Sequence, residues 1–351
     1  MLFFQYIKEK LFKKKLDSDS KPESKSPTKR TIFLLAISEL VMVVLGILLA
    51  LYIDRWNEKQ QIEEKFTAAL KIIQEELSTD IKQTDLGFKS YIYRDSLRSN
   101  IMGNKLIRQD YKDGVSEYDK IIYYYWELNI HSDGFEILSK FDEEIPEQYE
   151  ELFYKLKRFY SQKVNIDEFN KNFKKVVWEN VNYMFNRPWY PVDQFNGIVS
   201  EDQIDFYLHN PYYKSLIQNT MNSTVNTYRV SSKFRLEGID VYKELKVATG
   251  DTSKLPEHIT YTLSDSSKLQ QFTGKYKQIK GRENSWFDTD IEMEIQDNNL
   301  VILREDKDPY VYYYFKESIF FNSTNYVLKF SENGNLKIIE GYRKATFWTK
   351  Q

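Results

Sequence analysis

Residues 32–53 read IFLLAISELVMVVLGILLALYI. Among these 22 positions only Ser38 and Glu39 are clearly polar, apart from the amphipathic Tyr52. As a helix rising 1.5 Å per residue the stretch is ~33 Å long, enough to cross a hydrocarbon layer of ~30 Å. A signal peptide would carry a shorter apolar core of ~7–15 residues and a small-x-small cleavage site. Ala50-Leu51-Tyr52 is not such a site, so residues 31–54 read as an uncleaved transmembrane helix.

The flanks set its orientation. Seven Lys/Arg fall in residues 11–30, ending in Lys29 and Arg30, against four in residues 54–73. The positive-inside rule then puts the N-terminus in the cytoplasm and the bulk of the chain outside. Trp56, with Tyr52 one turn earlier, suits the outer aromatic belt as an interface anchor. Upstream lies a basic tail, residues 1–30. Within it, residues 2–16 have the pattern of a short helix lying on the inner membrane surface, and residues 17–30, rich in Ser, Lys and Pro, that of a linker.

Glu39 stands about two turns inside the anchor, and two readings of it stay open. It snorkels to the cytoplasmic headgroups, or it meets a polar group of a partner helix. Gly46 and Ala50 form a small-xxx-small pair on roughly the same face. Glu39, Gly46 and Ala50 are therefore candidate contacts with a second copy or another envelope membrane protein.

From Asn57 the helix is expected to continue, because Ile62, Phe66, Ala69, Ile73, Leu77 and Ile81 recur at spacings of three and four. That stripe needs cover, from later helices or from another subunit. Pro146 fits a first helical position ahead of Tyr149, Leu152, Phe153, Leu156 and Tyr160. Asn165 with Glu168 forms a capping-box pattern, and Ser200 with Gln203 repeats that start signal. Asn210-Pro211 opens a helix expected to reach about Thr249, with Gly250 as its stop. Residues 55–249 thus read as an antiparallel helical bundle and 250–267 as a linker. After it come short alternating runs: Phe272–Ile279, Ile291–Ile295, Leu300–Leu303, Tyr310–Phe315, Ile319–Phe321, Tyr326–Phe330, Leu336–Ile339 and Ala345–Trp348. Turn signals such as Asp297-Asn298-Asn299 separate them. Residues 268–351 are expected to form an antiparallel β meander of about eight strands, a small barrel or a sandwich, which makes the chain α+β.

The stretch Ala36-Ile-Ser-Glu39-Leu-Val-Met-Val-Val-Leu-Gly46-Ile-Leu-Leu-Ala50-Leu-Tyr-Ile-Asp-Arg-Trp56-Asn57-Glu58 resembles the anchor of a family of single-pass proteins common in Bacteroidota. Ser38 stands where that family often has glycine, and Asp54-Arg55 replace its usual polar pair. Looser likenesses lie at Gly134–Ser139 and Phe206–Tyr213. The resemblance implies a bacterial inner-membrane anchor with a periplasmic helical domain, and it lends no catalytic residue. The opening Leu269-Gln-Gln-Phe-Thr-Gly274-Lys-Tyr276 is similar to the start of the lipocalin-like β domain of many β-lactamase-related serine hydrolases, although no hydrolase domain precedes it here.

Composition narrows the chemistry. The 351 residues are 41% hydrophobic and 16% aromatic, as a folded chain requires. The absence of cysteine excludes disulfides, thiolate metal sites and a cysteine nucleophile. Residues 1–30 carry nine Lys/Arg against four Asp/Glu, while the rest holds 41 against 48. An acidic remainder offers no footprint for nucleic acid. His131, His209 and His258 lie at least 49 residues apart, so no two stand at metal-ligand spacing. His131-Ser132-Asp133 offers two ligands, or a histidine satisfied within its loop. No G-x-S-x-G elbow, P-loop or H-E-x-x-H occurs, and one S-x-x-K match, Ser18–Lys21, falls in the tail.

Tyr123–Trp126 and Tyr312–Phe315 fit a sugar-binding surface or a core. Arg187, Trp189 and Tyr190, in Arg187-Pro-Trp-Tyr-Pro191, form a candidate ligand loop or a packed helix connection. No metal or cofactor is expected. The leading expectation is a membrane-anchored interaction or scaffold protein partnered by the lipid bilayer and other envelope proteins. The alternative is a periplasmic ligand-binding or sensing module, and the third is an enzyme with an unrecognised carboxylate site.

Overall fold

The computed structural model describes residues 29–112, 117–141, 144–262, 266–280, 290–304, 308–324 and 326–351. The surface helix expected at 2–16, the linker before Lys29 and the Ser18–Lys21 match lie outside the described residues. The chain forms two units, Met1–Gln61 and Ile62–Gln351.

The first helix, α1 (Lys29–Met102), runs for 74 residues and belongs to both units. It is long and apolar enough to cross a membrane. In the first unit every described side chain from Ile37 to Gln61 is exposed.

In the second unit α1 is amphipathic as its spacing predicts. Phe66, Ala69, Ile73, Leu77 and Ile81 are buried, and the same chain covers them. Two short helices, α2 (Gln109–Lys112) and α3 (Asp133–Leu138), precede the cover, which comes chiefly from α4 (Glu150–Tyr160), α5 (Gln162–Phe185) and α8 (Pro211–Ala248). Phe66 stacks on Tyr149 with ring centroids 5.2 Å apart. Gly134 allows α3 its approach, since a Cβ there would lie 2.8 Å from the Ile73 backbone nitrogen.

Two start signals fall elsewhere than expected. α5 begins at Gln162, because the Ser161 backbone is itself helical (φ −61°, ψ −20°) and carries α4 almost directly into it. Asn165 therefore sits inside the first turn with nothing to cap. Pro146, with ψ 133°, precedes a 3-10 turn over Glu147–Tyr149 instead of opening an α-helix. Ser200 does cap α7 (Glu201–His209), accepting from the Gln203 amide at 3.3 Å. Asn210 caps α8, which ends at Ala248 with Thr249 as its C-cap, ahead of Gly250 at φ +67°.

The C-terminal strands are β1 (Gly274–Lys280), β2 (Asp290–Gln296), β3 (Asn299–Ile302), β4 (Tyr310–Lys316), β5 (Ile319–Phe321), β6 (Tyr326–Phe330), β7 (Leu336–Glu340) and β8 (Thr346–Lys350). Each pairs antiparallel with the next, and β8 returns to β1 with Lys277 opposite Thr349. That last pairing makes the meander a closed barrel, not a sandwich. Tyr276, Met293, Leu300, Tyr312, Leu328, Ile338 and Trp348 belong to its core. Phe272, read as strand, belongs instead to a 3-10 turn over Ser266–Phe272 that adds Leu269 and Phe272 to that core.

One side of the barrel is apolar on its outer face as well. Phe315, Ile319, Phe321, Val327 and Ile339 pack against Phe88 and Tyr91 of α1 and against Met221, Val225 and Tyr228 of α8. The barrel and the helical region thus share a core. The stretch after α8 is packed too: Ile259 is buried with the helices, and Tyr261 accepts from the Tyr314 amide of β4 at 2.8 Å.

Candidate functional site

Beyond Ile81 the buried face of α1 changes chemistry. Thr84, Arg94, Asp95 and Arg98 are buried there among Phe88 and Tyr91. Buried charges need partners, and Asp95 has two. It accepts from Arg98 Nη2 at 2.7 Å and from Lys337 Nζ of β7 at 2.9 Å. Arg98 also donates to the carbonyls of Gly341 (3.0 Å) and Arg343 (2.7 Å), while the Gly341 amide donates to Tyr91 Oη at 3.0 Å. These bonds tie the β7–β8 turn to α1.

A cleft of about 680 Å³ opens beside this tie, lined by the end of α1, β1, β7 and the β7–β8 turn. Six cations line it: Arg98, Lys105, Lys280, Lys337, Arg343 and Lys344. Among the described residues no carboxylate lines it. Asp95 behind the wall neutralises one charge of the Arg98–Lys337 pair. Lys105, Lys280 and Lys344 are exposed and make no ion pair among the described residues. Met102, Ile279, Ala345 and Phe347 give the cleft an apolar wall as well. The like charge of these three lysines draws an anion and focuses the field on it.

A second cluster surrounds His131. Its Nδ1 lies 2.5 Å from Oδ1 of the fully buried Asp80, and its backbone amide donates to Oδ2 at 2.9 Å. Glu76 accepts from the Gly134 amide at 3.2 Å. Burial raises the carboxyls of Asp80 and Glu76, and the bond to Asp80 raises the His131 imidazole. His131 is therefore a loop histidine satisfied by a carboxylate from α1. Among the described residues no three His, Asp or Glu side chains are placed to hold a metal ion.

The sign of the pH effect follows. His131 holds its proton more tightly folded than unfolded, so its contribution to stability is complete below the ordinary imidazole value of 6.5 and is lost as pH rises through the raised folded value. His258, lowered by burial, works in the opposite sense below 6.5. The His131→Gln variant isolates the first effect. Unfolding midpoints measured across the neutral range are expected to fall with rising pH in the wild type more steeply than in the variant, and parallel curves would refute the assignment.

The residues singled out from the sequence lie apart from both clusters. Glu39 is on α1, with its side chain outside the described residues; Gly46 has nothing within 4 Å of a built Cβ, and Ala50 and Trp56 are exposed. Arg187 lies over the Tyr183 ring at 4.2 Å and the Phe206 ring at 5.3 Å. Trp189 and Tyr190 open α6 (Trp189–Asn196), with Trp189 against Phe206 and Tyr190 buried. The arrangement is a packed helix connection, and it is Val192 and Phe195 that face solvent. Tyr312 is fully buried in the barrel, whereas Tyr124 is exposed. No protein-family model matches the sequence, and no curated protein matches it.

Proposed function

We propose that this chain is a membrane-anchored binding protein whose second unit takes up a multiply charged anion in the basic cleft. Residues 31–54 are the anchor, with the N-terminus in the cytoplasm and the helical region and barrel in the periplasm. The observation that carries the reading is that, among the described residues, six Lys/Arg side chains and no carboxylate line one 680 Å³ cleft. It favours a ligand-binding or sensing module over a scaffold that works only through its membrane helix. The ligand carries two or more phosphate or carboxylate groups, because Lys105, Lys280 and Lys344 make no ion pair among the described residues. Its less polar part meets Ile279 and Phe347.

The test is calorimetric titration of the full-length chain in detergent with inorganic pyrophosphate. Saturable binding is expected, weaker at high salt because exposed charges are screened beyond ~10 Å at 0.1 M. The triple variant K105E/K280E/K344E is expected to weaken it by roughly tenfold or more. Absence of saturable heat with the wild type, or equal affinity in the variant, would sink the reading.

A further inference from the structure

Three arginines are buried among the described residues: Arg94, Arg98 and Arg235. Two of them are neutralised by a carboxylate. Arg98 meets Asp95 at 2.7 Å, and Arg235 meets Asp85 at 2.7 Å. Arg94 meets none. It is 6% exposed, and its guanidinium donates to two backbone carbonyls, Ile121 (2.9 Å) and Tyr124, with the Phe173 ring 5.7 Å away. Carbonyls satisfy hydrogen bonds without balancing the charge, and a buried cation without a counter-charge is unfavourable. Burial accordingly pulls the Arg94 guanidinium down to about 10.

Arg94 also lines a cavity of about 450 Å³ that shares no lining residue with the basic cleft. Lys89 and Lys120 add two positive charges, and Glu117 subtracts one. The rest of the wall is mostly apolar: Leu97, Ile121 and the rings of Tyr93 and Tyr124. Five N–H groups in a planar fork match a carboxylate, and two carbonyl acceptors do not exhaust them. A cavity of this size with one buried charge and an apolar wall has the make-up of a small-molecule site.

We infer that the Arg94 cavity is a second binding site, specific for a small organic carboxylate with a flat apolar body. The carboxylate supplies the counter-ion that Asp95 and Asp85 supply to the other two buried arginines. Tyr93 and Tyr124 flank the body of the ligand, and Lys89 and Lys120 draw it in. The site is independent of the anion cleft and of the function proposed for it.

Equilibrium dialysis of the full-length chain in detergent micelles tests this with benzoate as the probe, beside inorganic phosphate. Benzoate is expected to bind one to one and more tightly than phosphate. Arg94→Lys keeps the charge and loses the fork, and is expected to weaken benzoate by roughly tenfold or more. Tyr124→Ala is expected to weaken it severalfold, whereas K105E/K280E/K344E leaves it unchanged. No saturable benzoate binding, a preference for phosphate, or an affinity that follows the cleft variant would overturn the inference. So would wild-type affinity in a folded Arg94→Lys protein. Should Arg94→Lys fail to fold, Tyr124→Ala decides: that side chain is 60% exposed, so its loss spares the fold, and unchanged affinity overturns the site.

Discussion

Replacing Asp95 with alanine is expected to destabilise the second unit by about 3–5 kcal/mol, the range for removing one partner of a buried ionic group. The magnitude follows from what is left behind. The Arg98 side chain is 4% exposed and that of Lys337 is 22% exposed, so neither recovers full hydration when the carboxylate goes. The loss also reaches the β7–β8 turn, because the same guanidinium holds the carbonyls of Gly341 and Arg343. Asp95→Asn keeps the shape and one acceptor, and should fall between alanine and wild type. Lys337→Met should cost less, since it leaves Asp95 paired with Arg98. Urea unfolding of the full-length chain in detergent, followed by circular dichroism, measures the series. A loss below ~1 kcal/mol for alanine would place Asp95 with exposed pairs, whose contribution is that small.

The elements with a period were legible. Phe66 to Ile81 on α1 and the eight runs between residues 272 and 348 announce a helix and a meander, because burial on one face repeats at 3.6 or 2 residues. The sequence left barrel or sandwich open, since closure depends on whether β8 reaches β1, a pairing of residues 67 to 74 positions apart. Asn165 misled because a capping signal is local, whereas the helical Ser161 backbone is set by α4 packing on the core. The cleft was the least legible feature. Its cations come from residues 98, 105, 280, 337, 343 and 344, and only Arg343-Lys344 are adjacent. On α1 itself Arg94, Asp95 and Arg98 continue the buried surface past Ile81. A stripe that goes on past Ile81 with charged residues interleaved among Phe88, Tyr91 and Leu97 is the one trace of the site that the chain carries in linear form. Asp80 as the partner of His131, 51 residues away, leaves no trace of that kind.

Arg235→Leu is the substitution expected to rival Asp95→Ala. From α8, Arg235 reaches three other parts of the second unit. It donates to the Ile81 carbonyl (3.0 Å), Thr84 Oγ1 (2.9 Å) and Asp85 Oδ1 (2.7 Å) on α1, and to the His258 carbonyl (3.0 Å) after α8. Its guanidinium also lies 5.6 Å from the Phe315 ring of β4. Leucine fills much of the volume but leaves the His258 carbonyl, the buried Thr84 hydroxyl and the half-buried Asp85 carboxylate without this donor, while the Ile81 carbonyl still accepts from Thr84 Oγ1 at 2.6 Å. Each acceptor stranded in the interior costs about 1–3 kcal/mol, and water entering beside Asp85 offsets part of it, so a net loss of about 3–5 kcal/mol is expected. Lysine should not rescue the variant, because a point charge cannot serve four acceptors that a planar fork serves together. Since the contacts of Arg235 run from α1 to the barrel, its loss also weakens the coupling between the two parts. Scanning calorimetry is expected to show one cooperative transition of the second unit in the wild type and a broadened or divided one in Arg235→Leu. A variant that melts in a single sharp transition within a few degrees of wild type would mean that the apolar contacts of Phe88, Phe315 and Phe321 join the barrel to the helices unaided, and that Arg235 is a satisfied charge and no more.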